Sequence, residues 1–312
     1  MKKILSLLLL LALALTLLAS CAPTDSTKIT VGVMNGPTGM GMAKLMNDSG
    51  SESELYAFKT FADPTVGVSE LIAGKLDMLC LPTHTAATLA TKNEDFITVI
   101  AVNTLGSLYL VTDEENSVTD IKELAGKTIY TSVAGSTTKP IVEYLLQQNG
   151  ITANIVVEKD HDTLVTLVKS GQAPIAVLPE PKVTAGFMND TNYKVRLNLS
   201  EEWSKVSETD LTMGCIVVRN DFLREHTGAV DRFLVDYKAS VDYIANRNNL
   251  ESSASLIVSA GILPKLPVAK GALQNLYGSI VYVDGTDMKL ALTGFYTAIN
   301  QALPSDDFYY EK

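Results

Sequence analysis

Four short turns in this chain carry the residue types able to hold a small polar ligand. They are Asn35-Gly36-Pro37-Thr38-Gly39, Pro82-Thr83-His84-Thr85, Gly135-Ser136-Thr137-Thr138 and Pro179-Glu180-Pro181. Each lies between a short apolar run and a helical stretch, so the unpaired N–H groups and partial positive charge of a helix start face whatever is bound there. That arrangement suits anionic or carbonyl oxygens, and glycine lets the backbone approach them closely. The hydroxyls of Thr38, Thr83, Ser136 and Thr137 either donate to a ligand or accept from their own helix as N-caps. Glu180 is driven toward an extended conformation by Pro181. Its carboxylate either accepts from a ligand amine, amide or ring N–H or is satisfied by local backbone donors. His84 is a ligand contact or a capping residue, and Asn103, Leu105 and Gly106 are placed to border the same crevice.

The same residues argue against several chemistries. Gly36-x-x-Gly39-x-Gly41 lacks the Lys-Ser/Thr of a P-loop and the spacing of a dinucleotide fingerprint. Nothing in the sequence places a base beside a nucleophilic Ser or Cys, so no catalytic residue is assigned. The cysteines and histidines have no zinc-site spacing, and neither metal nor cofactor is expected. Of the three cysteines, Cys80 and Cys215 sit in apolar strand-like runs, which favours buried free thiols over the disulfide that an exported chain leaves open.

The elements that must position these turns are written twice. Ala73 to Pro82 and Ser170 to Pro179 share a Gly, an apolar run and a closing Pro, 97 residues apart. Asp63 and Asp160 keep the same offset, each ahead of a helical stretch. The first copy reads as strands 29–34, 56–61, 77–81 and 97–103 alternating with helices 38–47, 64–73 and 83–91. In helix 64–73, Val68, Leu71 and Ile72 form one apolar side. The second copy reads as strands 127–131, 154–157, 174–178 and 194–199 with helices 137–149, 161–169 and one after Pro179. Between the copies lies a strand at 107–112. After them come a strand at 212–219 with no counterpart in the repeat, a strand at 279–283, and helices 229–245, 250–259, 268–276 and 286–302. Alternating strands and helices imply α/β lobes with mainly parallel sheets. The arrangement expected is lobe one at 28–110 and 214–312, lobe two at 111–213, and a hinge crossed near 110–115 and 209–213. A small ligand would bind between the lobes.

Residues 1–20 read as a signal peptide: Lys2 and Lys3, an apolar run from Ile4 to Leu18, then small residues. Leu18-Ala19-Ser20-Cys21 resembles a bacterial lipobox, which makes Cys21 the expected lipidation site and 21–27 a tether. The mature chain is therefore expected outside the cytoplasm, anchored to a bacterial membrane. The full chain has a formal charge of −10, and losing Lys2 and Lys3 makes it more acidic still; with no basic cluster, nucleic acid is excluded as the expected partner.

Taken in order, Gly36-Pro37-Thr38-Gly39-Met40-Gly41, Gly74-Lys75-Leu76-Asp77, Leu124-Ala125-Gly126-Lys127, Gly135-Ser136-Thr137, Pro179-Glu180-Pro181 and Met213 to Val218 resemble the solute-binding lipoproteins of ABC importers. The likeness is to the nitrate/sulfonate/taurine and thiamine-pyrimidine-like branch, and it covers nearly all of the mature chain. It implies a type II periplasmic-binding-protein fold, a monomer that closes on a small solute, and delivery to a membrane permease driven by an ATPase. It also implies that the Gly36–Gly39, Pro82–Thr85, Gly135–Thr138 and Glu180 turns surround the solute; with the bordering residues the expected contacts are Asn35, Gly36, Thr38, Gly39, Thr83, His84, Asn103, Gly135, Ser136, Thr137 and Glu180. No Arg lies in the four turns and only Lys139 is nearby, which favours a small organic solute over a strictly anionic one. Two other functions remain open: an enzyme on the same scaffold acting on a small heterocycle, and a lipoprotein that senses a ligand for a receptor.

Overall fold

The computed structural model describes residues 25–132 and 137–311. The signal segment, Cys21, most of the tether, and Gly135 and Ser136 lie outside the described residues.

The first copy of the repeat folds as β1 (Ile29–Met34), α1 (Pro37–Met40), α2 (Ala43–Ser49), β2 (Tyr56–Phe61), α3 (Pro64–Ile72), β3 (Met78–Pro82), α4 (Thr83–Lys92) and β4 (Ile97–Leu105). After β5 (Leu108–Asp113), the second copy folds as β6 (Thr128–Ser132), α5 (Thr138–Gln148), β7 (Asn154–Glu158), α6 (His161–Lys169), β8 (Ile175–Pro179), α7 (Lys182–Phe187) and β9 (Tyr193–Asn198). The chain then continues through α8 (Leu199–Ser204), β10 (Thr212–Arg219), α9 (Asn220–Glu225), α10 (Thr227–Ile244), α11 (Leu250–Ser259), α12 (Leu266–Asn275), β11 (Ile280–Val283) and α13 (Gly285–Ala298).

The 97-residue offset holds to the residue in the best-matched elements: α3 maps onto α6, and β3 onto β8. Local chemistry explains the match. Asp63 accepts from the Thr65 N–H and Asp160 from the Thr163 N–H, each satisfying a helix-start donor that would otherwise be unpaired. On α3, Leu71 is fully buried, but Ile72 points outward at 57 % exposure, so the apolar side is narrower than expected. The single helix expected over 38–47 is two helices. The chain breaks at Gly41-Met42, where Ser240 Oγ donates to the Gly41 carbonyl and Tyr237 and Val241 of α10 pack close.

Two sheets result. The first has the order β11-β4-β10-β3-β1-β2 and the second β7-β6-β8-β5-β9. Strands β1, β2 and β3 are mutually parallel, as are β6, β7 and β8. β10 is inserted antiparallel between β3 and β4, and β5 antiparallel to β8 and β9 in the same relative place. This corrects two expectations. The crossing between sheets falls at Gly106-Ser107 rather than near 110–115, so 108–110 pairs in the second sheet. β10 does have a counterpart, which is β5. The correspondence is hidden in the 97-residue repeat because each half receives this strand from a crossing segment that lies outside the copy.

β3 and β8 are buried along nearly their whole length, as expected of strands covered on both faces. Val177 joins the large core shared with the first sheet, while Ala176 and Leu178 join a smaller core on the opposite face with Leu164 and Val168. Burying each large apolar side chain contributes about 1.5–3 kcal/mol. The C-terminal segment returns to the first sheet: Tyr310 N–H donates to the Val99 carbonyl, and Phe308 and Tyr309 are buried beside it.

Candidate functional site

Of the four turns, those after β1, β3 and β8 are fully described, and two of them meet. Gly36 has φ 97° and ψ −162°, a region that is essentially glycine-only. A Cβ placed on Gly36 would lie 3.8 Å from Pro181 Cδ. The Gly36 turn of the first sheet therefore faces the Glu180-Pro181 turn of the second. Asn35 is exposed beside it, and its N–H donates to the Phe61 carbonyl at 2.8 Å.

The support beneath Gly36 is dense. Gly39 packs so tightly on β1 that a Cβ there would stand 1.9 Å from the Met34 carbonyl oxygen. Asn103 Nδ2 donates to the Thr38 carbonyl at 3.0 Å, and Thr104 Oγ1 donates to Asn103 Oδ1 at 2.9 Å. Asn103 is 1 % exposed. Gly36, Thr38, Gly39 and Asn103 are thus one connected unit, in which Gly39 and Asn103 hold the turn.

Thr83 is fully buried and donates through Oγ1 to the Thr212 carbonyl at 2.9 Å, tying α4 to the start of β10. Its own carbonyl accepts from Tyr296 OH. His84 is half-buried. Burial pushes its imidazole below the usual histidine range, with a Gln301 hydrogen bond opposing the shift. Its Nδ1 is enclosed without a hydrogen-bond partner.

Glu180 is 1 % exposed. Oε1 accepts from Asn275 Nδ2 at 2.6 Å and from Thr184 Oγ1 at 3.0 Å, and Oε2 accepts from the Thr184 N–H at 3.2 Å. Burial pushes its carboxyl above the usual range, while the Asn275 and Thr184 donors pull the other way. Glu180, Thr83 and Asn103 each make hydrogen bonds within the protein. These side chains hold the turns that bear them. Thr137, 3 % exposed, stands at the start of α5 with its carbonyl accepting from the Ile141 N–H.

The family model described as NMT1/THI5 like matches residues 57–249, more than half of the chain. The chain belongs to the NMT1/THI5-like family. Solved structures agree on the fold. An ABC transporter protein from Parabacteroides distasonis is 20 % identical, with a TM-score of 0.73, covering 92 % of this chain and 99 % of its own. The periplasmic aliphatic sulphonate binding protein SsuA from Escherichia coli is 14 % identical, with a TM-score of 0.71 and coverage of 91 % and 92 %. A ligand-binding component of an ABC-type import system from Staphylococcus aureus is 15 % identical, with a TM-score of 0.70 and coverage of 91 % and 97 %. No curated protein sequence matches the chain. The α/β fold of the periplasmic binding proteins is the one expected from the sequence.

In this NMT1/THI5-like chain the structure adds residues that the sequence reading passed over. His161, at the start of α6, places Nδ1 2.5 Å from Ser132 Oγ at the end of β6. Burial, then the nearby Lys182 charge, holds its imidazole below the usual range. The repeat carried the signal, since His161 follows the capping Asp160 as Pro64 follows Asp63. Asn275, the partner of Glu180, had no local signal at all. Cys80 pairs with Ile216 and Cys215 with Leu81 on antiparallel strands, which puts the two thiols on opposite faces of the sheet. Both are free and fully buried. Among the described residues no group of three or more His, Cys, Asp or Glu is placed to hold a metal ion. A separate cavity of about 600 Å³ opens on the outside of the first sheet's helical layer, lined by Lys44, Leu45, Tyr56, Asp236, Ser240 and Tyr243. Its walls come from α2, the start of β2 with the segment before it, and α10, so it does not join the facing turns.

Proposed function

We propose that this protein is a lipid-anchored extracytoplasmic solute-binding protein, which captures a small organic solute between two lobes and delivers it to an ABC permease. The observation that carries this reading is the Gly36 turn of one sheet meeting the Pro181 turn of the other. A pocket bounded by strand-end turns of two sheets is a usual place for a ligand in α/β folds. The neighbours whose names describe ABC import and sulphonate binding support the same reading. The solute contacts are proposed at Asn35, Gly36, Thr38 and His84 on one side, and at Gly135, Ser136 and Thr137 on the other. Gly39, Thr83, Asn103 and Glu180 fix the turns. Lobe one comprises the first sheet and the C-terminal helices, lobe two the second sheet, and the anchor is Cys21. The Arg232 guanidinium donates from Nη2 to the Thr27 carbonyl at 2.9 Å, which ties Thr27 to the first turns of α10.

Thermal denaturation across a panel of sulfonates, pyrimidines, amino acids and inorganic anions tests this function, with mass spectrometry of solute that co-purifies. A solute present at 100 times its Kd stabilises the native state by about 2.7 kcal/mol. A protein with no co-purified solute and no stabilising ligand in the panel would contradict the proposal.

A further inference from the structure

Asn275 ends α12, which packs on α11, while α11 packs on α2. The next strand, β11, belongs to the first sheet. Yet the Asn275 side chain reaches the second lobe. Nδ2 donates to Glu180 Oε1 at 2.6 Å and lies 3.3 Å from Thr184 Oγ1, while the Asn275 carbonyl accepts from Tyr109 OH of β5 at 2.7 Å. The helices are in close register here: a Cβ on Gly271 of α12 would stand 2.7 Å from Thr184 Cγ2 of α7. The Glu180-Pro181 turn is therefore flanked by the first lobe on two sides, tied to Asn275 on one and facing the Gly36 turn on the other.

Glu180 also sits next to the chain crossing, since its N–H donates to the carbonyl of Ser107 at 2.9 Å. A rotation of the lobes about Gly106-Ser107 that moved α7 away from α12 would remove Asn275, which among the described residues is the one donor from the other lobe. Among those residues the buried carboxylate would keep only Thr184, and an under-satisfied buried charge opposes such a movement.

We infer that the Asn275–Glu180 hydrogen bond is an interlobe latch, and that these two positioning residues set the fraction of molecules whose lobes are closed. Apparent solute affinity scales with that closed fraction. The inference rests on the proposed solute capture only for this consequence, because lobe separation is measured with no solute present.

The test uses paired spin labels on the full-length chain at Ala62→Cys and Lys159→Cys. These are exposed positions just after β2 and β7, the edge strands at one end of each sheet. Cys80 and Cys215 are fully buried and will not take label, and a control without the introduced cysteines accounts for any label at Cys21. Asn275→Leu removes the donor, and Asn275→Asp sets a second carboxylate against the first. Both should move the distance distribution to longer values at pH 8, the Asp variant further. The double variant Glu180→Gln with Asn275→Asp exchanges donor and acceptor and should restore the short distances. Folded single variants, verified by circular dichroism, that keep the parent distribution would overturn the latch. So would single variants that open while the double variant fails to close, since that pattern reports packing rather than the hydrogen bond.

Discussion

Gly39→Ala separates local propensity from tertiary packing, because the two act in opposite directions. Gly39 lies inside α1, where replacing glycine by alanine favours the helix by up to about 1 kcal/mol. Against that, the new Cβ would stand 1.9 Å from the Met34 carbonyl oxygen and 2.9 Å from Val33 Cγ1. The first neighbour is backbone, in a strand paired on both sides, so it cannot turn aside as a side chain would. The helix must retreat by more than 1 Å, although Asn103 ties it down at the Thr38 carbonyl. Overpacking of this kind costs about 3 kcal/mol at the upper end of its usual range, leaving a net destabilisation of about 2 kcal/mol. That corresponds to a fall in Tm of roughly 4–8 °C. Urea and thermal unfolding of the two proteins measure it directly. An alanine variant as stable as the parent, or more so, would refute the claim that the Gly36–Gly39 turn is pinned to β1. Once a solute is known, the same variant should bind it more weakly, because Thr38 moves with the helix.

Two further outcomes follow from buried groups. The Glu180 carboxyl is raised above its ordinary 4.5 by burial, so between that value and its native one the folded chain holds a proton that the unfolded chain has released. Its contribution to stability is full below pH 4.5 and is lost as pH rises through the native value, by up to about 1.4 kcal/mol per pH unit. The stability of the parent minus that of Glu180→Gln should therefore decline between pH 4.5 and neutrality in urea titrations, and a flat difference would remove the burial argument. Cys80 is pushed up to about 12, and Cys215 also upward, by complete burial. Neither should react with iodoacetamide at pH 8 in the native protein, and both should react in urea. Mass spectrometry that found either thiol modified without unfolding would contradict this placement.

Much of the fold was legible because its signals are local. The capping Asp63 and Asp160, the prolines closing β3 and β8, and apolar runs without alternation each act within one element, and each led to the right residues. The break at Gly41-Met42 was not legible, because its cause is α10, some two hundred residues further along. The partner of β10 was hidden for a related reason: two strands exchanged between halves leave no trace in a repeat read copy by copy. At the candidate site, the sequence pointed to the turns but left the roles of Thr83, Asn103 and Glu180 divided between ligand and protein. The structure placed Thr212, Thr38 and Asn275 against them.

The sequence by itself determined that there are two related α/β halves, where each strand ends to within two residues, and which glycines, hydroxyls and carboxylate stand at those ends. Backbone sterics, helix-start donors and apolar periodicity act over a few residues, so they can be read without coordinates. Only the tertiary structure decided that Gly36 faces Pro181 and that Glu180 is satisfied by Asn275, 95 residues away. A buried carboxylate must find its donors wherever the packed chain brings them, and nothing near Glu180 in the sequence says where that is.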